Sequence, residues 1–369
     1  EIQGDVAAGK RYYEQSLGIA EKTGTKWEQA QALLALSDLL VWGEGDYRGA
    51  RQLAERSLVL QRQIKDLAGM VDSLSALTFC TALLRSYEEA LTFAQEGLQL
   101  SRALGAVKTE SSRGALAWVY LLTGQIDKTV ACLHKSLRFS LELGNQDWLL
   151  DTYKALAYRN ALGGYYEEAS FYAKRTLDIP IETAEQEEKR QVAFISLSHV
   201  AFHDADYAAA KDFAQRAADH LQSGGGSHNL VAMAQTALCA AHMALGAFDD
   251  AERRAYALLQ NSIRQNDAGA LTGLNLVALL LGRHAVSRAE KERIFEMIGM
   301  QRHHLPMTDT PAYHEWTERL LPKQAAALGS ERIEAALAHG AALDPDIETP
   351  KLLGELSNLV GAFAGNRQP

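Results

Sequence analysis

A turn that ends in an aromatic or aliphatic residue, followed three positions later by a small one, recurs seven times in this chain. The copies are Val6 with Gly9, Tyr47 with Ala50, Tyr87 with Ala90, Ile126 with Thr129, Tyr166 with Ala169, Tyr207 with Ala210 and Phe248 with Ala251. Successive markers lie 41, 40, 39, 40, 41 and 41 residues apart. A period this regular means one supersecondary unit repeated, each copy too thin to cover its own apolar face and stable only when stacked on its neighbours. The 369 residues are thus read as one array rather than as two or three unrelated domains.

Each unit reads as a helix pair. Before the marker lies a run rich in Ala and Leu at spacings of three and four, such as Met70 to Leu84 or Val231 to Leu245, which predicts a buried helix A. After it come residues such as Ala90, Phe93, Ala94, Gly97 and Leu98, one stripe of a helix B. Ser86 with Glu89, and Thr25 with Glu28, have the form of capping boxes. Gly24, Gly105 and Gly144 stand where helix B should stop, and Pro180 stops it in its own unit. Inside helix A a small column, Ser37, Thr78, Ala117, Ala157, Ser198, Cys239 and Asn275, follows directly on Leu36, Leu77, Leu116, Leu156, Leu197, Leu238 and Leu274. Small residues there let helix B approach closely while the leucine fills the space beside them.

These residues carry a resemblance. The Leu-small-x-x-apolar, Gly-Asp-Tyr and Ala-x-x-(Phe/Ala) pattern looks like tetratricopeptide repeats (TPR) over roughly residues 1–282. Its long period resembles the sensor arms of bacterial STAND-type signalling ATPases, including MalT-like and SARP-like transcription regulators. The segment Leu328-Gly329 through Ala336, Gly340 and Leu343 is similar to an element that often closes such regulators, with Ile333 where an aromatic is usual and His339 where an acid is common. The resemblance implies an all-α, right-handed superhelical solenoid in which a ligand in the concave groove releases an ATPase module elsewhere in the full-length protein.

Six of the seven prolines lie beyond residue 300, at Pro306, Pro311, Pro322, Pro345, Pro350 and Pro369, so long helix pairs cannot continue there. The expected organisation is a solenoid of about seven and a half units over 1–284, a helical cap over 285–364 and a disordered tail over 365–369. The cap is read as shorter helices at 289–300, 313–321, 324–328, 332–340 and 351–364.

Lys plus Arg number 37 against 46 Asp plus Glu, a net charge of −9, which disfavours nucleic-acid phosphates and anionic lipid as direct partners. Three scattered cysteines with no C-x-x-C pair, no signal segment and no long apolar run fit a reduced, cytoplasmic chain. Gly4 to Lys10 has the spacing of a phosphate loop, but Arg11 stands where Ser or Thr would hold magnesium, and the same residues serve the repeat. His199 and His203 share one helix face, yet no third ligand suggests a metal. His303 and His304 are read as a solvent-exposed pair in a Pro-flanked loop. No nucleophile, base or carboxylate pair stands out, so no enzyme, cofactor or metal is expected.

The informative column is two residues after the helix A leucine, where TPR geometry faces the concave groove: Asp38, Phe79, Trp118, Tyr158, His199 and Ala240. One and two turns earlier in the fourth unit stand Lys154 and Asp151. Rings supply contact area and a few charges fix orientation, as a ligand groove requires. Three readings stand side by side: a groove for a small molecule, peptide or protein inducer, core buried by the next unit, or a register slip that turns the column away. The expected function is a non-catalytic sensor module of a STAND-like regulator, partnered by its inducer and by other domains of that regulator. The alternative is a free-standing TPR scaffold or peptide sensor gripping a partner segment.

Overall fold

The protein is described from a computed structural model, which covers residues 6–44, 46–223, 228–264, 276, 278–282, 285–345, 347–349 and 351. All regular structure among these residues is helical. The chain divides into two compact units, 1–123 and 124–369.

The first unit contains α1 (Val6–Thr23), α2 (Lys26–Leu39), α3 (Tyr47–Ile64), α4 (Leu67–Leu83), α5 (Tyr87–Ser101) and α6 (Ala106–Leu122). The second contains α7 (Ile126–Leu143), α8 (Gln146–Leu162), α9 (Tyr166–Asp178), α10 (Ala184–His203), α11 (Tyr207–Ser223), α12 (His228–Ala244) and α13 (Phe248–Arg264). It continues through α14 (Arg288–His304), α15 (Pro311–Leu320), α16 (Pro322–Leu328) and α17 (Ser330–Ala341). Every marker residue from Tyr47 to Phe248 opens a helix B.

From α1 to α6 and from α7 to α13 consecutive helices pack together, and A helices also touch their second neighbours: α4 meets α2 and α6, and α10 meets α8 and α12. The B helices make no comparable second-neighbour contacts. The side on which second neighbours converge is the inner side of the curve, so A helices line it.

The small column performs as its chemistry suggests. Ser37 Oγ donates to the Ala50 carbonyl at 2.9 Å, Ser198 Oγ to Ala210 at 2.8 Å and Cys239 Sγ to Ala251 at 3.2 Å. Each pair joins the small residue of helix A to the small residue three after the marker on helix B. Two small side chains therefore bring the backbones together, and the hydroxyl or thiol satisfies itself there instead of being buried unpaired. Asn275 and Leu274 lie outside the described residues.

The first residue of the marker turn carries a left-handed backbone in the described copies from Arg85 to Gly246: φ is 65° at Arg85, 70° at Gly124, 79° at Gly164, 59° at Ala205 and 75° at Gly246. Chain reversal after helix A needs this conformation, which explains the preference for glycine.

Several sequence expectations need correction. Ser86 and Thr25 sit at N-cap positions but accept no capping bond. Reciprocal capping boxes occur instead at Thr183 with Gln186 and Ser287 with Glu290, while Asp46, Asp66, Asn145 and Asp206 cap through carboxylate or amide oxygens. Each accepts from the backbone N–H three residues on, satisfying one of the orphan donors of the first turn. His303 and His304 close α14 rather than lying in a loop, and His304 Nε2 sits 2.9 Å from the Leu343 carbonyl oxygen. Val6 to Lys10 is helical, and Lys10 pairs with Glu44 at 2.9 Å. The expected helix 351–364, apart from Lys351, and the tail 365–369 lie outside the described residues.

Candidate functional site

In the first unit the column expected to face the groove lies on α2, α4 and α6. Asp38 is exposed, and Phe79 and Trp118 are half-buried. The two rings meet at 6.2 Å with a 48° tilt, so they form one aromatic surface spanning α4 and α6. Burial among the surrounding helices, with a second contribution from Asp72, pushes the Asp38 carboxyl up to about 6. Asp72 is engaged by Lys108 at 2.5 Å. Asp38 thus offers a carboxylate one A helix before the Phe79 ring.

In the second unit the same column behaves differently. Asp151 and Lys154 pair at 2.6 Å, and Lys189 reaches Asp151 at 3.3 Å. Burial lowers the Lys154 ammonium value while Asp151 partly restores it. Tyr158 and His199 are 4% and 5% exposed, and they are covered by the chain's own C-terminal part. The Trp316 ring stacks on the His199 imidazole at 5.0 Å and 13°, with Tyr158 edge-on to His199 at 6.0 Å. Burial pushes the His199 value down to about 4, offset in part by Glu315. Its Nδ1 is buried with no hydrogen-bond partner. Ala240, the last member of the column, is fully buried.

Around this ring slot lies a polar network that the sequence alone did not indicate. Glu315 accepts from the Tyr166 hydroxyl at 2.6 Å and lies 3.0 Å from His203 Nδ1. Tyr166 and His203 stack at 4.0 Å. Arg319 donates to the carbonyls of Phe202 and His203 at 2.8 and 2.7 Å, closing the C-terminal end of α10, where orphan carbonyls favour a cation. The i, i+4 pair His199 and His203 was visible in the sequence, but Glu315 and Trp316 lie more than a hundred residues away and no local spacing announces them. Among the described residues no cluster of three or more His, Cys, Asp or Glu side chains could hold a metal. None of the described helices is long and apolar enough to cross a membrane. An open cleft of about 370 Å³ lies at the turns of this unit, against Gly124, Asp127, Tyr165 and Asp309.

No protein-family model and no curated protein matches the sequence. Solved structures do. A Rap protein complexed with competence and sporulation factor aligns at TM-score 0.59 and 13% identity, over 96% of this chain and 99% of that one. The apo quorum sensor NprR from B. thuringiensis aligns at TM-score 0.52 and 12% identity, with the same coverage. A STAND protein with a tetratricopeptide-repeat sensor from Pyrococcus horikoshii aligns at TM-score 0.48 and 14% identity, over 96% of this chain and 55% of that one, a likeness too loose to carry an inference. At these identities the first two show the fold alone: an all-α, TPR-like solenoid of helix pairs.

Proposed function

We propose that this chain is a non-catalytic binding module whose first-unit inner face, Asp38, Phe79 and Trp118, takes a short protein or peptide segment carrying a cationic group beside an apolar one. The observation that carries this reading is an exposed aspartate on α2 followed, at the same repeat position of the next two A helices, by two half-buried rings that touch each other. Such a surface offers a charge for orientation and cation–π or apolar contact for area. The neighbours lend support by analogy: one is a peptide-factor complex by its title and the other a quorum sensor. The domain scheme 1–284, 285–364 and 365–369, the cytoplasmic setting and the role as an arm of a STAND-type regulator belong to the same proposal. The last rests on the residue match at 328–344, and in that setting the partners include the regulator's other domains.

The test is calorimetric screening of short synthetic peptides against the whole chain, followed by Asp38→Asn and by Phe79→Ala with Trp118→Ala. At least a tenfold loss of affinity is expected in each. Retention of affinity in all three substitutions combined sinks the assignment. A readout at two pH values adds a sign check. The group that binds the cation is the carboxylate, so affinity should fall as pH drops through about 6 and be lost well below it. Asp38→Asn should abolish that dependence.

A further inference from the structure

Helix-to-helix contacts within the solenoid bury many small and aliphatic side chains, Leu156, Ala157, Ala210 and Ala214 among them, together with ring pairs such as Phe139 with Trp148 and Tyr153 with Tyr172 and the Arg51–Glu89 ion pair. The contact between α15 and the solenoid gathers rings, an arginine and polar groups at one place. Its members are Tyr158, Tyr166, His199 and His203 on one side and Glu315, Trp316 and Arg319 on the other. Aromatic rings, an arginine and bridging polar groups are the composition of a recognition interface, whereas Ala and Leu are that of a core. Contacts between parts of one chain that have this character resemble transient protein–protein interfaces.

The geometry has the organisation of a binding site. Trp316 is the anchor, 2% exposed, held between the His199 ring and Phe202, whose ring lies 5.8 Å from it. Glu315 and Arg319 flank it and engage a phenol, an imidazole and the end of a helix, so the orientation of the guest helix is fixed as well as its depth. Pro311 opens the guest helix against Gly164, where a Cβ would stand 3.1 Å from the proline ring. The host also carries an uncompensated polar atom, His199 Nδ1, which lowers the stability of the docked state relative to an all-apolar core.

We infer that this face of the second unit is a receptor for a short helix of the form Glu-Trp-x-x-Arg, that Pro311–Leu320 is its resident occupant, and that an external protein segment of the same chemistry competes for it. The inference concerns residues of the second unit, whereas the assignment above concerns the first, so its test leaves that assignment untouched.

The first measurement is hydrogen exchange on the intact chain. Reversible docking requires α15 amides to exchange at least tenfold faster than those of α10, because α15 can leave without unfolding the stack. Equal protection in the two helices overturns the inference. The second measurement uses a synthetic peptide of residues 306–321 as the probe. It should bind Trp316→Ala or Arg319→Gln chains at least tenfold more tightly than the unaltered chain, and the same peptide with alanine at 316 should bind neither. Equal binding to altered and unaltered chains, or none to folded variants, overturns it. Arg319→Gln, at the rim of the contact, serves if Trp316→Ala fails to fold.

Discussion

At the scale of single residues, two kinds of departure from repeat chemistry have measurable consequences. One is backbone. Ala205 occupies the left-handed position that glycine fills in three sister turns, at φ 59°, and a side chain there costs roughly 1 kcal/mol. Ala205→Gly is therefore expected to stabilise the chain by up to about 1 kcal/mol in urea denaturation, the relief of strain outweighing the added freedom of the unfolded chain. Gly124→Ala should do the opposite and by more, since its Cβ would stand 2.8 Å from the Pro306 carbonyl oxygen as well as adopting that φ. The other departure is electrostatic. His199 is held neutral, its value pushed from 6.5 to about 4 by burial, with Glu315 the opposing charge and Tyr158 and Trp316 against the ring. The unfolded chain takes up this proton near pH 6.5 and the folded chain only near 4. Stability is thus lost as pH falls between those values, by about 3 kcal/mol at the limit. NMR titration of the imidazole checks this directly: a midpoint near 4 is expected, and an ordinary midpoint would show the ring to be solvated. Neither residue announces itself in the sequence. Ala205 is read as a turn residue without its φ, because alanine does not advertise the left-handed backbone that the reversal imposes, and His199 as a groove residue without its cover, because Trp316 is distant in the chain.

Among elements, the stretch that resembles the closing segment of large regulators proves to be a packing signature. Gly340 on α17 lies against α14 so closely that a Cβ would fall on the Glu296 carbonyl oxygen, and a Cβ at Gly299 would fall on that of Leu337. The two helices cross backbone to backbone, with Ala336 buried one turn before Gly340. His339 at the departed position bonds Glu296 at 2.8 Å. Gly340→Ala should push the pair apart, destabilising the chain by about 1–3 kcal/mol. A melting temperature unchanged within a degree would mean that the helices can slide to accommodate the methyl. This explains what the sequence conveyed and what it withheld. Helix positions were legible because 3.6-residue periodicity and proline are local signals: the expected 289–300, 313–321, 324–328 and 332–340 correspond to helices Arg288–His304, Pro311–Leu320, Pro322–Leu328 and Ser330–Ala341. What Pro311–Leu320 rests on was not legible, since an amphipathic stripe shows that a helix is buried but not against what. The column of rings was legible as a column, but not the surroundings of its members: Phe79 and Trp118 are half-buried, Tyr158 is buried against His199, and His199 lies under Trp316.

For the molecule as a whole, stacking makes stability a sum of nearest-neighbour terms, because each helix pair buries its apolar face chiefly on the pairs beside it. The exception is α10, whose residues 191–199 are all buried: it packs on α8, α9, α11 and α12 and also receives Trp316. A helix buried on all sides concentrates coupling at one point of an otherwise one-dimensional array. Removing a core leucine should therefore have graded effects. Leu156→Ala in α8, at a fully buried site, is expected to cost about 2–5 kcal/mol and to lower amide protection most in α7 to α10, with the loss fading towards α13. Leu77→Ala in α4, 1% exposed, should centre its own loss on α3 to α6. Hydrogen exchange resolved by segment distinguishes this from an all-or-none fold, in which either substitution would lower protection evenly over every helix. Such an even loss would contradict the additive picture. It would also remove the physical basis for partial opening at α15, since no part of the chain could then yield before the rest.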